Sequence, residues 1–142
     1  MKSILILQGP NLNLVGVREP SIYGSESLSD WIETRKAEWR ALGAEVEVAQ
    51  SNHEGVLIDL LQEHGFSKHG IVFNPGGYTH TSVAIRDAIA AIASPVIEVH
   101  LSNIHSREAF RQVSLMSGVC KAIVGGLGFD GYEAAIRFLM RH

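Results

Sequence analysis

An arginine and a tyrosine five positions apart, Arg18 and Tyr23, flank Glu19-Pro20 in the stretch QGPNLNLVGVREPSIYG, Gln8 to Gly24. A phenol is a poor base at its ordinary pKa of ~10, and an adjacent cation can lower that value by about 1–3 pH units. The pair therefore reads as a candidate proton-abstracting base. A second pair lies far along the chain, where Glu98 precedes His100 by two residues. On a strand the two side chains share a face. A carboxylate beside an imidazole fixes its tautomer and favours its protonated form, which makes His100 a candidate general acid. The plainer alternatives are a surface loop with a solvated Arg18 and a Tyr23 covering apolar surface, and a strand-end histidine that merely bonds to Glu98. Around these pairs, Ser102 and the backbone N–H groups near Leu101 can hold an anion. Arg111 can face the same pocket or sit solvated on a helix. Asn74 and His80, with Asn11 and Asn13 from the long loop, offer donors and acceptors for hydroxyl groups. The ligand implied is small, hydroxylated and anionic.

The elements that would position these residues alternate in type. Ser3 to Leu7 is a short apolar run that reads as a buried strand. The loop after it is longer than the about 12–15 residues at which loops become uncommon. Leu12, Leu14, Val15, Ile22 and Tyr23 make it too apolar for a solvated tail, which points to a functional lid. Ser27 and Asp30 look like a capping box for a helix through Leu28, Trp31, Ile32, Trp39 and Leu42, ended by Gly43. Ala44–Gln50 alternates as a strand at an edge. Val56–Glu63 is a helix closed by Gly65. Ile71–Phe73 is a strand apolar on both faces, as in a central parallel sheet. After NPGGYTH, Thr81 or Ser82 caps a helix running to about Ala93 through Val83, Ile85, Ile89 and Ile92. Pro95 separates it from the strand Val96–His100. A short helix carrying Arg107 and Arg111, a strand near Ala122–Val124 and a helix from about Tyr132 to Met140 complete the chain. The pattern predicts an α/β fold: a flavodoxin-like three-layer sandwich with a five-stranded parallel sheet in the order 2-1-3-4-5. In that order the loops after strands one, three and four meet over one crevice.

Bulk properties narrow the function. The chain has 142 residues, 46% hydrophobic and 19% charged, which is one ordinary domain with a real core. A net charge of −3 with no basic stripe argues against a nucleic-acid surface. No run approaches the about 18 apolar residues of a membrane span, and the N-terminal apolar run is too short for a signal peptide. Cys120 is the sole cysteine, so no disulfide framework exists. A cytoplasmic setting is expected, with Cys120 a small core residue rather than a nucleophile. Gly126-Leu-Gly128-Phe-Asp-Gly131 matches the dinucleotide pattern, but a second strand and an acidic residue about 20 positions later are missing. It reads as a tight turn into the last helix. His80, His100 and His105 lack the spacing and carboxylate company of a metal site, and no cofactor is expected. Lys2, Lys36, Lys68 and Lys121 all fall outside the three polar connections, which disfavours a Schiff base. The competing readings are a flavodoxin-like module binding a nucleotide or flavin, and a scaffold or signalling domain, which would want clustered acids where Gln8-Gly-Pro stands.

Assembled in order, GPNLNLVGVREPSIYG, QSNHEGVLID, NPGGYTHTSVAIRDAI and EVHLSNIHSREAFR make the chain resemble the type II 3-dehydroquinate dehydratases over nearly its whole length. Two small departures stand out: Gln8 where the family often has Asn, and Gly77 where Ala is common. Gly77 should make its connection more flexible. The resemblance implies a hydro-lyase converting 3-dehydroquinate to 3-dehydroshikimate in the shikimate or quinate pathway. It implies that Tyr23 removes the proton beside the ketone with Arg18 keeping it reactive, and that Asn11 and an ordered water stabilise the enolate. His100, oriented by Glu98, would protonate the leaving hydroxyl. Asn74, His80 and Arg111 would hold substrate hydroxyls, and Leu101 and Ser102 the carboxylate. Asp87 would complete a site across a subunit contact, and Glu54 would play a supporting part. The resemblance also implies a homododecamer, a tetramer of trimers.

Overall fold

The computed structural model describes residues 1–17 and 26–142. Arg18 and Tyr23 fall within 18–25 and lie outside the described residues. Within the described residues, five strands, β1 (Lys2–Gln8), β2 (Ala44–Gln50), β3 (Gly70–Asn74), β4 (Val96–His100) and β5 (Ala122–Gly125), form one parallel sheet in the order β2-β1-β3-β4-β5. This is the order expected from the sequence. Among the described residues, four α-helices, α1 (Leu28–Ala41), α2 (Glu54–His64), α3 (Val83–Ala91) and α4 (Asp130–Arg141), cover its faces.

Alternation along the strands divides the core into two layers. Ile4, Ile6, Val72, Ile97 and Val99 point to one face, where Leu28, Ile32 and Trp39 of α1 and Tyr132, Ala135, Ile136 and Leu139 of α4 cover them. Leu5, Leu7, Ile71, Phe73 and Val96 point to the other, under Leu57 and Leu61 of α2 and Ile85, Ala88 and Ile89 of α3. Both layers are closed, so β1 and β3 are apolar on both sides, while β4 turns Ile97 and Val99 to one side and Val96, Glu98 and His100 to the other.

The helix starts follow their capping residues. Ser27 Oγ accepts from the Asp30 N–H, and Ser82 Oγ accepts from the Ile85 N–H, which settles Ser82 over Thr81 as the cap of α3. Three details differ from the sequence reading. Helix α3 ends at Ala91 rather than Ala93: Ile92 is extended, and the N–H groups of Ala93 and Ser94 both bond to the Gly65 carbonyl. Pro95 reinforces this stop, because the residue before proline avoids helical geometry. Val83 is exposed rather than inward-facing. No α-helix carries Arg107 and Arg111. Two 3-10 turns, Ile104–Ser106 and Ala109–Arg111, are separated by extended backbone at Arg107 and Glu108.

The connections after β1 and β3 press against each other at the carboxyl edge of the sheet. A Cβ at Gly9 would lie 2.6 Å from the Pro75 carbonyl carbon, and one at Gly76, whose φ is +62°, would lie 3.1 Å from the Pro10 oxygen. Gly77 is different: its φ is not positive, and a Cβ there would meet nothing within 4 Å. Its turn is held by the Gly76 N–H on Asn74 Oδ1 and by the Tyr78 hydroxyl on the Asn52 carbonyl. Gly77→Ala is therefore expected to stabilise the protein by about 0.4–1 kcal/mol. Gly9→Ala is expected to destabilise it by about 1–3 kcal/mol. Urea unfolding midpoints of the two variants check both signs.

Candidate active site

The loops after β1, β3 and β4 enclose a cleft of about 230 Å³ at the switch point between β1 and β3. Asn11, Asn74, His80, His100, Leu101, Ser102 and Arg111 all line it. Seven of the residues singled out from sequence thus share one cavity, and Glu98 stands directly behind His100. Asn13 is exposed away from the lining, and His105 lines a smaller neighbouring cavity. Asp87 lies on α3 with its side chain 69% exposed, outside the cleft of its own chain. Glu54, at the start of α2, accepts a hydrogen bond from the Ser82 hydroxyl and so ties α2 to the cap of α3.

Several lining side chains are held by hydrogen bonds to neighbouring protein groups. The peptide N–H of Gly76 donates to Asn74 Oδ1 at 3.1 Å, so Nδ2 is the atom that donates to the Tyr132 hydroxyl at 2.9 Å. The Tyr132 hydroxyl in turn donates to Gln8 Oε1 at 2.7 Å. Burial pushes the Tyr132 phenol up, against the opposing pull of Asn74 and Gln8. Gln8, the departure noted in the sequence, is therefore a buried acceptor beneath the cleft. His80 Nδ1 lies 2.8 Å from the Val113 carbonyl, which only accepts, so Nδ1 carries the hydrogen and neutral His80 offers Nε2 as an acceptor. Asn11 adopts left-handed backbone (φ 69°), which Asn tolerates, and its N–H donates to Asn52 Oδ1.

The centre of the site is a buried, hydrogen-bonded carboxylate–imidazole pair. His100 Nε2 lies 2.5 Å from Glu98 Oε2, with His100 7% and Glu98 1% exposed. Burial raises the Glu98 carboxyl, but His100 and the hydroxyls of Ser114 and Ser117 outweigh it and hold the group below the ordinary carboxylate value. With Nε2 given to Glu98, Nδ1 is the ring nitrogen available to a ligand. At the rim Arg107 Nη1 donates to Ser102 Oγ at 3.1 Å, which brings a second guanidinium to the predicted anion site. Arg111 pairs with Glu108 at 2.6 Å, and that hydrogen bond draws the Glu108 carboxyl below its usual range. Arg107 and the hydroxyls of Thr79, Ser114 and Ser117 were not assigned from sequence. No local pattern in the sequence marks any of them.

The fold and cleft define an α/β protein with a small, polar-lined cleft at the carboxyl edge of its sheet. The family described as dehydroquinase class II matches residues 2–140. The chain is 51% identical to the 3-dehydroquinate dehydratase of Herminiimonas arsenicoxydans, covering 99% of this chain and 97% of that protein. It is 52% identical to the catabolic 3-dehydroquinase of Phaeosphaeria nodorum, covering 99% and 93%. Among solved structures, the type II dehydroquinase from Butyrivibrio crossotus superposes with a TM-score of 0.91 at 46% identity, covering 97% of each chain. The chain belongs to the class II dehydroquinase family.

The lowered Glu98 carboxyl makes stability depend on pH. A carboxyl depressed by folding contributes its stability above the unfolded value, about 4.3 for Glu, and loses it as pH falls through the lower folded value. Urea-unfolding stability is expected to decline below about pH 5, and less steeply in Glu98→Gln. Equal slopes for the two proteins would show that Glu98 is not held ionised.

Proposed function

We propose that the protein dehydrates 3-dehydroquinate to 3-dehydroshikimate through an enolate. The observation that carries this reading is the Glu98–His100 pair at the floor of a cleft lined by hydroxyl-binding and anion-binding groups, in a chain of this family. Tyr23, assisted by Arg18, takes the proton beside the ketone. The electron pair moves onto the ketone oxygen, where Asn11 stabilises it. Fixed donors matter here because such a proton is acidic only if the charge on oxygen is met. The enolate then expels the hydroxyl group on the next carbon. Hydroxide is a poor leaving group, so His100 delivers a proton as it departs and water is released. Tyr23 is left protonated and His100 neutral, and exchange with solvent resets both.

Asn74, His80 and Arg111 hold the ring hydroxyls. Leu101 and Ser102, with Arg107 beside them, take the carboxylate. In a homododecamer built from trimers, Asp87 of one subunit reaches the site of another. No lysine lines the cleft among the described residues, which supports an enolate over a Schiff base. The cleft is smaller than the about 300–1,000 Å³ of sites for larger ligands, which weighs against a flavin.

Conversion is read directly as the ultraviolet absorbance of the conjugated enone when purified protein meets 3-dehydroquinate. Tyr23→Phe, Arg18→Ala and His100→Ala are each expected to lower kcat by at least about 100-fold, with the fold intact and, for His100→Ala, with ligand still bound. Borohydride should trap no adduct. Near-normal turnover by Tyr23→Phe or His100→Ala would remove that residue from its role, and a trapped adduct would reject the enolate route.

A further inference from the structure

Glu98 is surrounded by more donors than the orientation of His100 requires. Thr79 Oγ1 donates to Oε2 at 3.0 Å. Ser114 Oγ lies 2.9 and 2.8 Å from Oε1 and Oε2, and Ser117 Oγ donates to Oε1 at 2.9 Å. With His100 Nε2 these are its hydrogen-bond donors among the described residues. A carboxylate offers about four acceptor sites, so all are taken.

The direction of the Ser114 bond is forced. A hydroxyl has one proton and two lone pairs. The N–H groups of Met116 and Ser117 both donate to Ser114 Oγ at 3.1 Å, which uses the lone pairs. The only place left for its proton is the Glu98 carboxylate. A proton on Glu98 would then face a hydroxyl unable to accept it.

We propose that Ser114, with Ser117 and Thr79, is a positioning residue that keeps Glu98 an acceptor-only anion, so that His100 retains its hydrogen on Nε2 and exchanges the catalytic proton through Nδ1 alone. The catalytic half rests on the reading of His100 as the acid. The same connection carries Arg107, Arg111 and the Val113 carbonyl that orients His80. One segment thus sets the tautomers of both histidines and supplies both guanidinium groups. Other titratable groups around the pair are His80, whose ring stacks 6.5 Å from that of His100, and Cys120, whose thiol is pushed up to about 12 by burial and by Glu98. Arg107 and Arg111 line the cleft in front of His100.

The test combines NMR of the full chain, carrying ¹³C-labelled glutamate and ¹⁵N-labelled histidine, with steady-state kinetics. In the wild type, Glu98 should ionise below the ordinary range and neutral His100 should carry its hydrogen on Nε2. In Ser114→Ala the Glu98 midpoint should rise by about one pH unit or more. The kcat should fall about tenfold or more while KM changes less than about twofold, and Ser114→Thr should restore both. If Ser114→Ala fails to fold, Ser117→Ala and Thr79→Val carry the same expectation, since each removes a donor to Glu98. An unchanged Glu98 midpoint and tautomer, alongside normal wild-type turnover, would overturn the cradle alone. Shifted NMR signals in a wild type that does not turn over 3-dehydroquinate would instead overturn the parent reading and the catalytic half of the proposal.

Discussion

A carboxylate removed from water must be met by donors, or it will not remain charged. Glu98 satisfies that demand with three hydroxyls and an imidazole, and the functional cleft is built outward from it. The strand beneath supplies the geometry. Glu98 and His100 point the same way because β4 alternates, and their neighbours on β4 bury in the two core layers. The hydroxyls come from elsewhere: Thr79 from the turn after β3, Ser114 and Ser117 from the segment before β5. The buried carboxylate therefore draws two loops onto the end of one strand.

Sheet order does the rest. With β1 beside β3 and β3 beside β4, the connections leaving their carboxyl ends have one crevice in common. Gly9 and Gly76 let the first two connections touch at backbone distance. The buried series Asn74, Tyr132 and Gln8 links the floor of the crevice to helix α4 on the far side of the sheet edge. Asn52 secures the opening of the β1 loop through the Asn11 N–H. Polar groups in the cleft are thus fixed before any ligand arrives, the condition under which hydrogen bonds act on developing charge without reorganisation.

Much of this was legible in the residues. The strands β1 and β3 announce themselves as short apolar runs, β4 as a short segment set off by Pro95, and β2 by its alternation, because burial on two faces or one leaves different patterns. Ser27 marks a helix start through local chemistry that needs no tertiary partner, whereas Gly65 closes α2 where a Cβ would meet the Ile92 side chain. The convergence of Asn11, Asn74, His80, His100, Ser102 and Arg111 followed from strand order. What the sequence hid is what distant contacts decide. The early end of α3 depends on Gly65 accepting from Ala93 and Ser94. The 3-10 turns around Arg107 and Arg111 have no period to detect. Ser114 and Ser117 look like ordinary loop serines until the fold sets them against Glu98. Gly77 read as a source of flexibility, yet its turn is fastened on both sides, at Asn74 and at Asn52.

The central claim is that one small ring binds against His100 Nδ1 at the mouth of this crevice. The most direct measurement is a crystal structure of the protein with 3-dehydroshikimate bound. The account predicts the ring in the cleft and its carboxylate at Leu101 and Ser102. Nδ1 should lie about 3 Å from where the departing oxygen must stand, with the Tyr23 hydroxyl at the proton-bearing carbon. A ring bound outside the cleft, or one whose reacting carbons turn away from His100, would contradict it.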